Sequence, residues 1–582
     1  MQFTGFSIGQ SLDESRAIGD LPRAKSQGFS IGDVIVLSTH TLGHFNYIQG
    51  CPDGIMHCRM QFNSFEFICL FLPATVVLFI VLSKRWGTSA AVFWLIAASL
   101  FFYAWWNPIF ALLLIAAIGI NYLVSRSIIR SPEHKKLLLT AGILFNLSVL
   151  IYFKYTNFFF QTLQEVGWSH ATLPPIILPL GISFIVFQMI AYLVDVYRSK
   201  DAGLNFVQYC FFITFFPKLI AGPIMRSSEI APQFSDGQTF RFHESNLAVG
   251  LTIFILGLWK KAVFADAMAL YSSPIFGAAD AGIPINFFES WLGAIAYALQ
   301  LYFDFSGYAD MAIGAARIFG IRLPVNFLSP YKSKSVIEFW RTWHITLSNF
   351  LRDYLYIPLG GNRKGPLREY GNLLCTMLIG GLWHGAGWTF VFWGALHGIF
   401  LIMNHGWRAF HFSCSTRVGR NIALFFSWLL TFLCTLVAWI FFRAETFAGA
   451  WNLLKGMTGF RGIALSYSFL PHFPAFLRQL MFAYGFQFNL AETMVLRPDL
   501  FFRGIVWMCA LFIVVMFAPN TQEFMGSFLP IINPEKHPAP LRTPFFRWSP
   551  STRYACYIAV LGFLSFTSLM ILQKTEFLYF QF

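Results

Sequence analysis

The sequence predicts an all-α, polytopic integral membrane protein, and three observations carry that prediction. The first is composition. Of 582 residues, 56% are hydrophobic, 19% aromatic and only 12% charged, and the mean hydropathy is +0.59. An average globular domain carries about 25% charged residues. A soluble particle of this size needs a polar exterior that this chain cannot supply. The second is the arrangement of that apolar content into long runs, most of them near the length of about 20 residues that crosses a bilayer as a helix. The third is charge placement: Lys and Arg recur in alternate loops, the mark of loops retained in the cytoplasm. The net charge of +14 is read in that way. No basic stripe interleaved with aromatics lies outside the apolar runs, so nucleic acid is not an expected partner.

Residues 1–59 stand apart from the rest. They are mixed and glycine-rich, with Gly5-Phe6-Ser7-Ile8-Gly9 echoed at Gly28-Phe29-Ser30-Ile31-Gly32. No basic stretch is followed there by an apolar one, so the segment is not a signal peptide. It is read as a dispensable extension or a start-site artefact ahead of Met60. Cys51, His57 and Cys58 fall in it and match no zinc spacing. Cys69, Cys210, Cys375, Cys434, Cys509 and Cys556 lie in or beside apolar runs and act as small hydrophobes.

Residues 60–582 form the membrane domain. Candidate spans are 65–82, 89–106, 108–125, 137–160, 175–197, 204–221, 247–265, 286–303, 371–384, 386–403, 420–442, 501–518 and 554–572. That is about 11 to 13 transmembrane or re-entrant helices. Lys84-Arg85 closes the first, Arg126, Arg130, Lys135 and Lys136 the third, and Arg198 and Lys200 the fifth, whereas Trp105–Pro108 and Gln161–Pro174 carry no Lys or Arg. The basic loops are therefore placed in the cytoplasm, with Met60 outside. Residues 443–500 and 519–553 are more polar and read as surface loops, with short interfacial helices at 450–457 and 473–482.

Two segments interrupt the pattern. Phe215–Ile224 holds Pro217, Gly222 and Pro223 in apolar sequence. It cannot stay a straight helix, and the backbone groups it frees must be buried in protein or face a cavity. Lys218 sits there either at a cavity mouth or at an interfacial helix end. In 336–358, Phe339, Trp343, Leu347, Phe350 and Tyr354 share one helical face, while Arg341, His344, Ser348 and Arg352 fall on or beside the other. This reads as one amphipathic helix on, or dipping into, the membrane surface. The Gly360–Gly365 turn that follows lacks the Gly-Lys-Ser/Thr ending of a phosphate-binding loop.

The candidate chemistry centres on Gly380-Gly381-Leu382-Trp383-His384-Gly385-Ala386-Gly387-Trp388. An ionisable side chain at membrane depth is costly and marks a functional site by default. The surrounding glycines let neighbouring backbone or a substrate approach. An imidazole, with an ordinary pKa of about 6.5, can take a proton from a hydroxyl as that hydroxyl attacks a carbonyl. His384 is read as that base, with His344 as a second site histidine. His397 and His405 are read as packing residues. Asp304 and Asp310 are the carboxylates of the run 300–310. Asp310 is expected to pair with an arginine such as Arg317, and Asp304 is open to orienting a histidine. Trp383, Asp304, Lys218 and Arg352 complete the candidate substrate-binding or tunnel-lining set. Within residues 60–582 no Gly-x-Ser-x-Gly or His-Glu-x-x-His pattern is present, and no metal is expected.

These residues carry a resemblance. Phe215–Ile224, Tyr302–Gly314, Phe339–Ser348, Phe350–Arg363 and Gly381–Ala386, supported by Trp439–Ala444, Phe517–Phe524 and Phe577–Phe582, resemble the membrane-bound O-acyltransferase family. The branch they resemble most is that of bacterial alginate O-acetylase membrane subunits and their relatives. The likeness runs from Met60 to the end, with its motif-bearing core at about 204–403. It departs in having Lys218 where the branch has Gln. The resemblance implies many helices around a tunnel, a catalytic histidine at His384 and a second at His344. It also implies an acyl thioester donor, acetyl-CoA or an acyl carrier protein, arriving from the cytoplasm, with no tightly bound cofactor. The acyl group then passes to an exported polysaccharide or to a partner protein across the bacterial inner membrane. Lys332, Lys334, Arg341, Arg352, Arg363, Lys364 and Arg368 either attract the anionic donor or serve only topology. The expected activity is O-acetylation of an exopolysaccharide such as alginate, or of cellulose, peptidoglycan or, with D-alanine, teichoic acid. A transporter or channel of the secretion system, or a scaffold for it, is the alternative.

Overall fold

The structure is a computed structural model. It describes residues 60–168, 174, 176–198, 203–409, 416–460, 463–483, 487–489, 494–528, 531–532, 547–571 and 577–578. The expectations for residues 1–59, including Cys51, His57 and Cys58, lie outside the described residues. The described chain is helical almost throughout; three-residue strands at Ala464–Ser466 and Gln487–Asn489 pair in parallel.

Among the described residues, seven helices are long and apolar enough to cross a membrane, fewer than the number of apolar runs. Two physical reasons account for the gap. The first is that one continuous stretch holds two runs: Leu72–Ala104 breaks at Gly87 (φ 82°, ψ −173°), a conformation open to glycine. Its halves fold back on each other. The Trp94 indole N–H donates to the Thr75 carbonyl at 3.0 Å, and Phe71 stacks on Phe101 at 6.3 Å. Lys84 and Arg85 sit at the tip of that hairpin. The second is that several expected spans are short, broken or polar, and are enclosed by protein. Ile182–Arg198, Phe206–Thr214 and Phe216–Leu219 are short. Phe287–Ile318 is long but buried on nearly every face.

That central helix, Phe287–Ile318, packs against Glu244–Trp259 with almost no side chain between them. A Cβ on Gly257 would lie 2.5 Å from the Gly307 carbonyl oxygen, and one on Gly250 would lie 2.6 Å from that of Gly314. In lipid, association depends on such close backbone approach at small residues. Beyond Gly257 the helix widens into a π-turn, Lys260–Ala265, and continues as Asp266–Asp280. The widened turn directs two lysines at the central helix. Lys260 pairs with Asp310 at 2.6 Å, and Lys261 pairs with Asp304 at 2.7 Å and Asp266 at 2.8 Å. Asp310 is thus held by Lys260, with Thr521 also donating to it at 2.6 Å. This corrects the expected Arg317 partner, which lies about 10 Å further along the same helix.

The polar region after 443 is also less superficial than expected. Phe447–Met457 buries Ala450 and Leu453 completely against the helices around it.

Lys261 bridges two buried carboxylates. Lys261→Met is expected to cost about 3–5 kcal/mol, because a stranded buried charge is costlier than a lost pair. The thermal midpoint of the purified protein in detergent should fall further than for Lys260→Met, whose pair is more exposed.

Candidate active site

The site is built around the end of one helix. Pro366–His384 starts with proline in its first turn after Gly365, where the missing N–H costs nothing. It packs against Trp388–Ala409 through glycines. A Cβ on Gly381 would sit 2.2 Å from the Phe390 carbonyl oxygen, and one on Gly394 would sit 2.3 Å from that of Met377. A Cβ on Gly385 would strike the Phe390 ring at 2.2 Å. The glycines flanking His384 therefore admit neighbouring protein.

After His384 the chain turns extended at Gly385 (φ −149°, ψ 148°). The last carbonyls of the helix are left inside the protein, and they find donors on another element. The Tyr155 hydroxyl donates to the Leu382 carbonyl at 2.8 Å. The Lys154 ammonium donates to the carbonyls of Trp383 at 2.5 Å and His384 at 3.0 Å, and to Ser183 Oγ at 3.4 Å. Both residues lie on the π-wound turn Ile151–Tyr155. A cation at a helix C-terminus is favoured by the helix dipole. Lys154 and Tyr155 escaped the sequence reading. The available signal was a lysine inside the apolar run 137–160, which is costly at that depth unless it has a task.

The His384 side chain is held edge-on against Trp393 at 5.0 Å and Phe442 at 5.2 Å. The residue lines a cavity of about 150 Å³ with Lys154, Ser183, Trp106, Gly181 and Trp383. The rim includes Trp106 and the exposed Ile177, which belong to or adjoin the two loops without Lys or Arg. Gly181 (φ 68°) brings its turn within 2.9 Å of Ile220 measured from a built Cβ. Through Ile220 and Ala221, the broken Phe215–Ile224 segment contributes to the cavity wall.

Trp383 lines the cavity and touches both histidine rings, His384 at 4.9 Å and His344 at 6.2 Å between centroids. His344 is fully buried, with its ring edge-on to Phe305 at 4.7 Å and parallel to Phe184 at 6.3 Å. The expected surface helix at 336–358 is corrected here. It breaks into Val336–Thr342, Ile345–Leu351 and the π-wound Arg352–Tyr356. At the first break His344 takes a left-handed conformation (φ 41°, ψ 55°), rare for a residue with a side chain and associated with functional strain. The break turns His344 from the polar side of the helix into the interior. Beyond it, Phe187 stacks on Phe350 at 4.2 Å and on Trp383 at 5.2 Å.

The other candidates lie elsewhere. Lys218 is buried, hydrogen-bonded to Gln188 and 4.7 Å from the centre of the Phe212 ring, away from any mouth. Asp304 accepts from Lys261 and, at 3.1 Å, from the Leu578 backbone N–H, so it ties the C-terminal segment to the central helix. Arg352 is exposed and pairs with Asp353 at 2.6 Å. Asp353 also binds Arg226 at 2.5 Å. None of these three lines the cavity at His384. His397 accepts from the Trp340 indole at 3.3 Å and packs on Trp393 at 4.8 Å.

The profile of the "MBOAT, membrane-bound O-acyltransferase family" matches residues 99–444, more than half of the chain, and contains both site histidines. This chain belongs to the membrane-bound O-acyltransferase family. It is a multi-pass membrane acyltransferase. It is similar to a peptidoglycan O-acetyltransferase of Helicobacter pylori, 39% identical over 498 residues that cover 80% of this chain and 90% of that protein. It is also similar to a probable alginate O-acetylase, AlgI, of Azotobacter vinelandii, 41% identical over 417 residues covering 70% and 80%. A teichoic acid D-alanyltransferase of Bacillus subtilis shares 29% identity over 238 residues, 38% of this chain and 58% of that protein.

Because the two helices at the site touch backbone to backbone, Gly394→Val is expected to separate them and displace His384. The acyltransferase should lose its monodisperse peak in detergent size-exclusion chromatography. Gly406→Ala, at a position with open space, should leave that peak unchanged.

Proposed function

We propose that this acyltransferase moves an acetyl group from a cytoplasmic thioester to a hydroxyl of an exported polysaccharide, or to a partner protein that completes the transfer, in the bacterial inner membrane. The observation that carries the reading is His384, a residue that lines a cavity whose rim belongs to the face without Lys or Arg and whose ring is enclosed by aromatic side chains. By the charge rule that face is extracytoplasmic, so the acceptor hydroxyl comes to His384 from outside. The acyl donor, acetyl-CoA or an acyl carrier protein, comes from the opposite face, past Phe350, Phe187 and Trp383. Two relatives are named for O-acetylation of peptidoglycan and of alginate, which favours acetyl transfer to an exported polymer.

In the proposed reaction His384 takes the proton of the acceptor hydroxyl as its oxygen bonds to the thioester carbonyl carbon. The adduct then re-forms the carbonyl and breaks the carbon–sulfur bond. The departing thiolate recovers the proton, leaving an ester and a thiol. His344, locked behind Trp383, assists by fixing the wall against which the donor carbonyl lies. Alignment of donor and acceptor in an enclosed site supplies much of the acceleration, and the ring-packed surroundings keep water from the thioester.

His384→Ala, purified and reconstituted in liposomes, is expected to lose about 10²–10⁴-fold in ester formation, measured as acetyl esters on the acceptor polymer. Ester at the wild-type level would overturn the proposal. His344→Asn, which preserves the left-handed backbone at that position, should lower the rate less than His384→Ala in the same assay.

A further inference from the structure

Among the described residues three lysines are buried: Lys154, Lys218 and Lys261. Each treats its charge differently. Lys261 faces two carboxylates. Lys218 is held by Gln188 and the Phe212 ring, away from the cavity. Lys154 lines the cavity beside His384, is 8% exposed, and has no carboxylate partner among the described residues. Its counter-charge is the C-terminal end of the 366–384 helix, worth about half a unit of negative charge. Roughly half a positive charge therefore remains uncompensated in a site of low polarity.

The hydrogen bonds point the same way. Two of the three ammonium N–H groups are taken by the carbonyls of Trp383 and His384 at 2.5 and 3.0 Å. The third has Ser183 Oγ at 3.4 Å, longer than a good N–H···O bond of about 2.7–3.2 Å. Lys154 and Ser183 are both cavity-lining residues.

We propose that Lys154, with Ser183, binds the thioester carbonyl oxygen and stabilises the negative charge it acquires during acyl transfer. This inference rests on the proposed role of His384. As the acceptor oxygen bonds to the carbonyl carbon, the carbonyl π pair moves onto its oxygen, and the third Lys154 N–H shortens towards it. When the carbonyl re-forms, the pair returns and the carbon–sulfur bond breaks. A neutral carbonyl gains little from the residual charge on Lys154, whereas the oxyanion gains much. The interaction thus favours the transition state over bound substrate. The two backbone carbonyls serve to aim the ammonium, so one lysine fixes both the backbone under His384 and the electrophile opposite it.

The test uses the full-length protein in liposomes, with kcat and KM for the thioester donor and the thermal midpoint measured for each variant. Lys154→Gln keeps donors for the helix carbonyls but removes the charge; it should lose about 10²–10³-fold in kcat with KM little changed. Lys154→Arg keeps the charge and should retain more activity than Lys154→Gln. If Lys154→Gln keeps wild-type kcat, or if its loss tracks only the fall in midpoint, Lys154 is a helix cap alone and the inference is overturned. Should the Lys154 variants fail to fold, the wild-type lysine is tested directly. A ¹³C-carbonyl thioester bound to the His384→Ala protein should show its infrared carbonyl band shifted down from its position in solution; an unshifted band overturns the inference. Activity surviving in His384→Ala would instead refute the base assignment. Loss in His384→Ala with none in Lys154→Gln refutes only the role of Lys154.

Discussion

Lipid offers a helix end no hydrogen-bond partner, and the helix that carries His384 ends inside the protein. The three carbonyls at its terminus must be answered by protein donors. Tyr155 and Lys154 answer them from a single π-turn. Much of the local architecture follows from that one requirement. The widened turn sets two consecutive side chains towards the same helix end, Ser183 is drawn beside the ammonium, and the chain leaving His384 can turn sharply at Gly385 because the carbonyls behind it are already satisfied. A buried imidazole thereby gains a backbone fixed by a lysine and a tyrosine.

The same logic recurs at the centre of the fold. The Gly250–Gly314 and Gly257–Gly307 contacts bring two helices so close that charged residues beside them are largely shielded from water. Lys260 and Lys261 neutralise Asp310 and Asp304 across the contact, and the C-terminal Leu578 N–H completes the shell of Asp304. Asp304 and Asp310 are thus framework residues. They hold the helix whose Phe305 presses on the His344 ring, so the charge pairs bear on the site through packing alone.

Composition and apolar spacing made the membrane class and most spans legible in the sequence. His384 stands out as a candidate because an ionisable group in a glycine-rich apolar run is too costly to keep without a task. What escaped depended on partners distant in sequence. The lysines that face Asp304 and Asp310 lie more than forty positions earlier, and nothing local names them. Lys154 lies 229 and 230 positions from the carbonyls it holds. The 336–358 segment misled for a different reason. Its aromatic spacing fits one continuous helix, but the facing surface is protein on more than one side, so a break that buries both Trp343 and His344 wins over helical continuity. Helix counting fell short because apolar length does not distinguish a lipid-facing span from a helix wrapped in protein.

The left-handed backbone at His344 has a bearing on how that position tolerates replacement. Glycine and asparagine enter this region readily, whereas alanine and branched residues resist it. An alanine there would remove the imidazole and, at the same time, pull the chain towards the ordinary helical basin, straightening the segment that the break had folded inward. Loss of chemistry and loss of shape would then arrive together. Asparagine is the more discriminating probe, since it preserves the bend while deleting the ring, and any difference between the two replacements measures how much of the contribution of residue 344 is conformational.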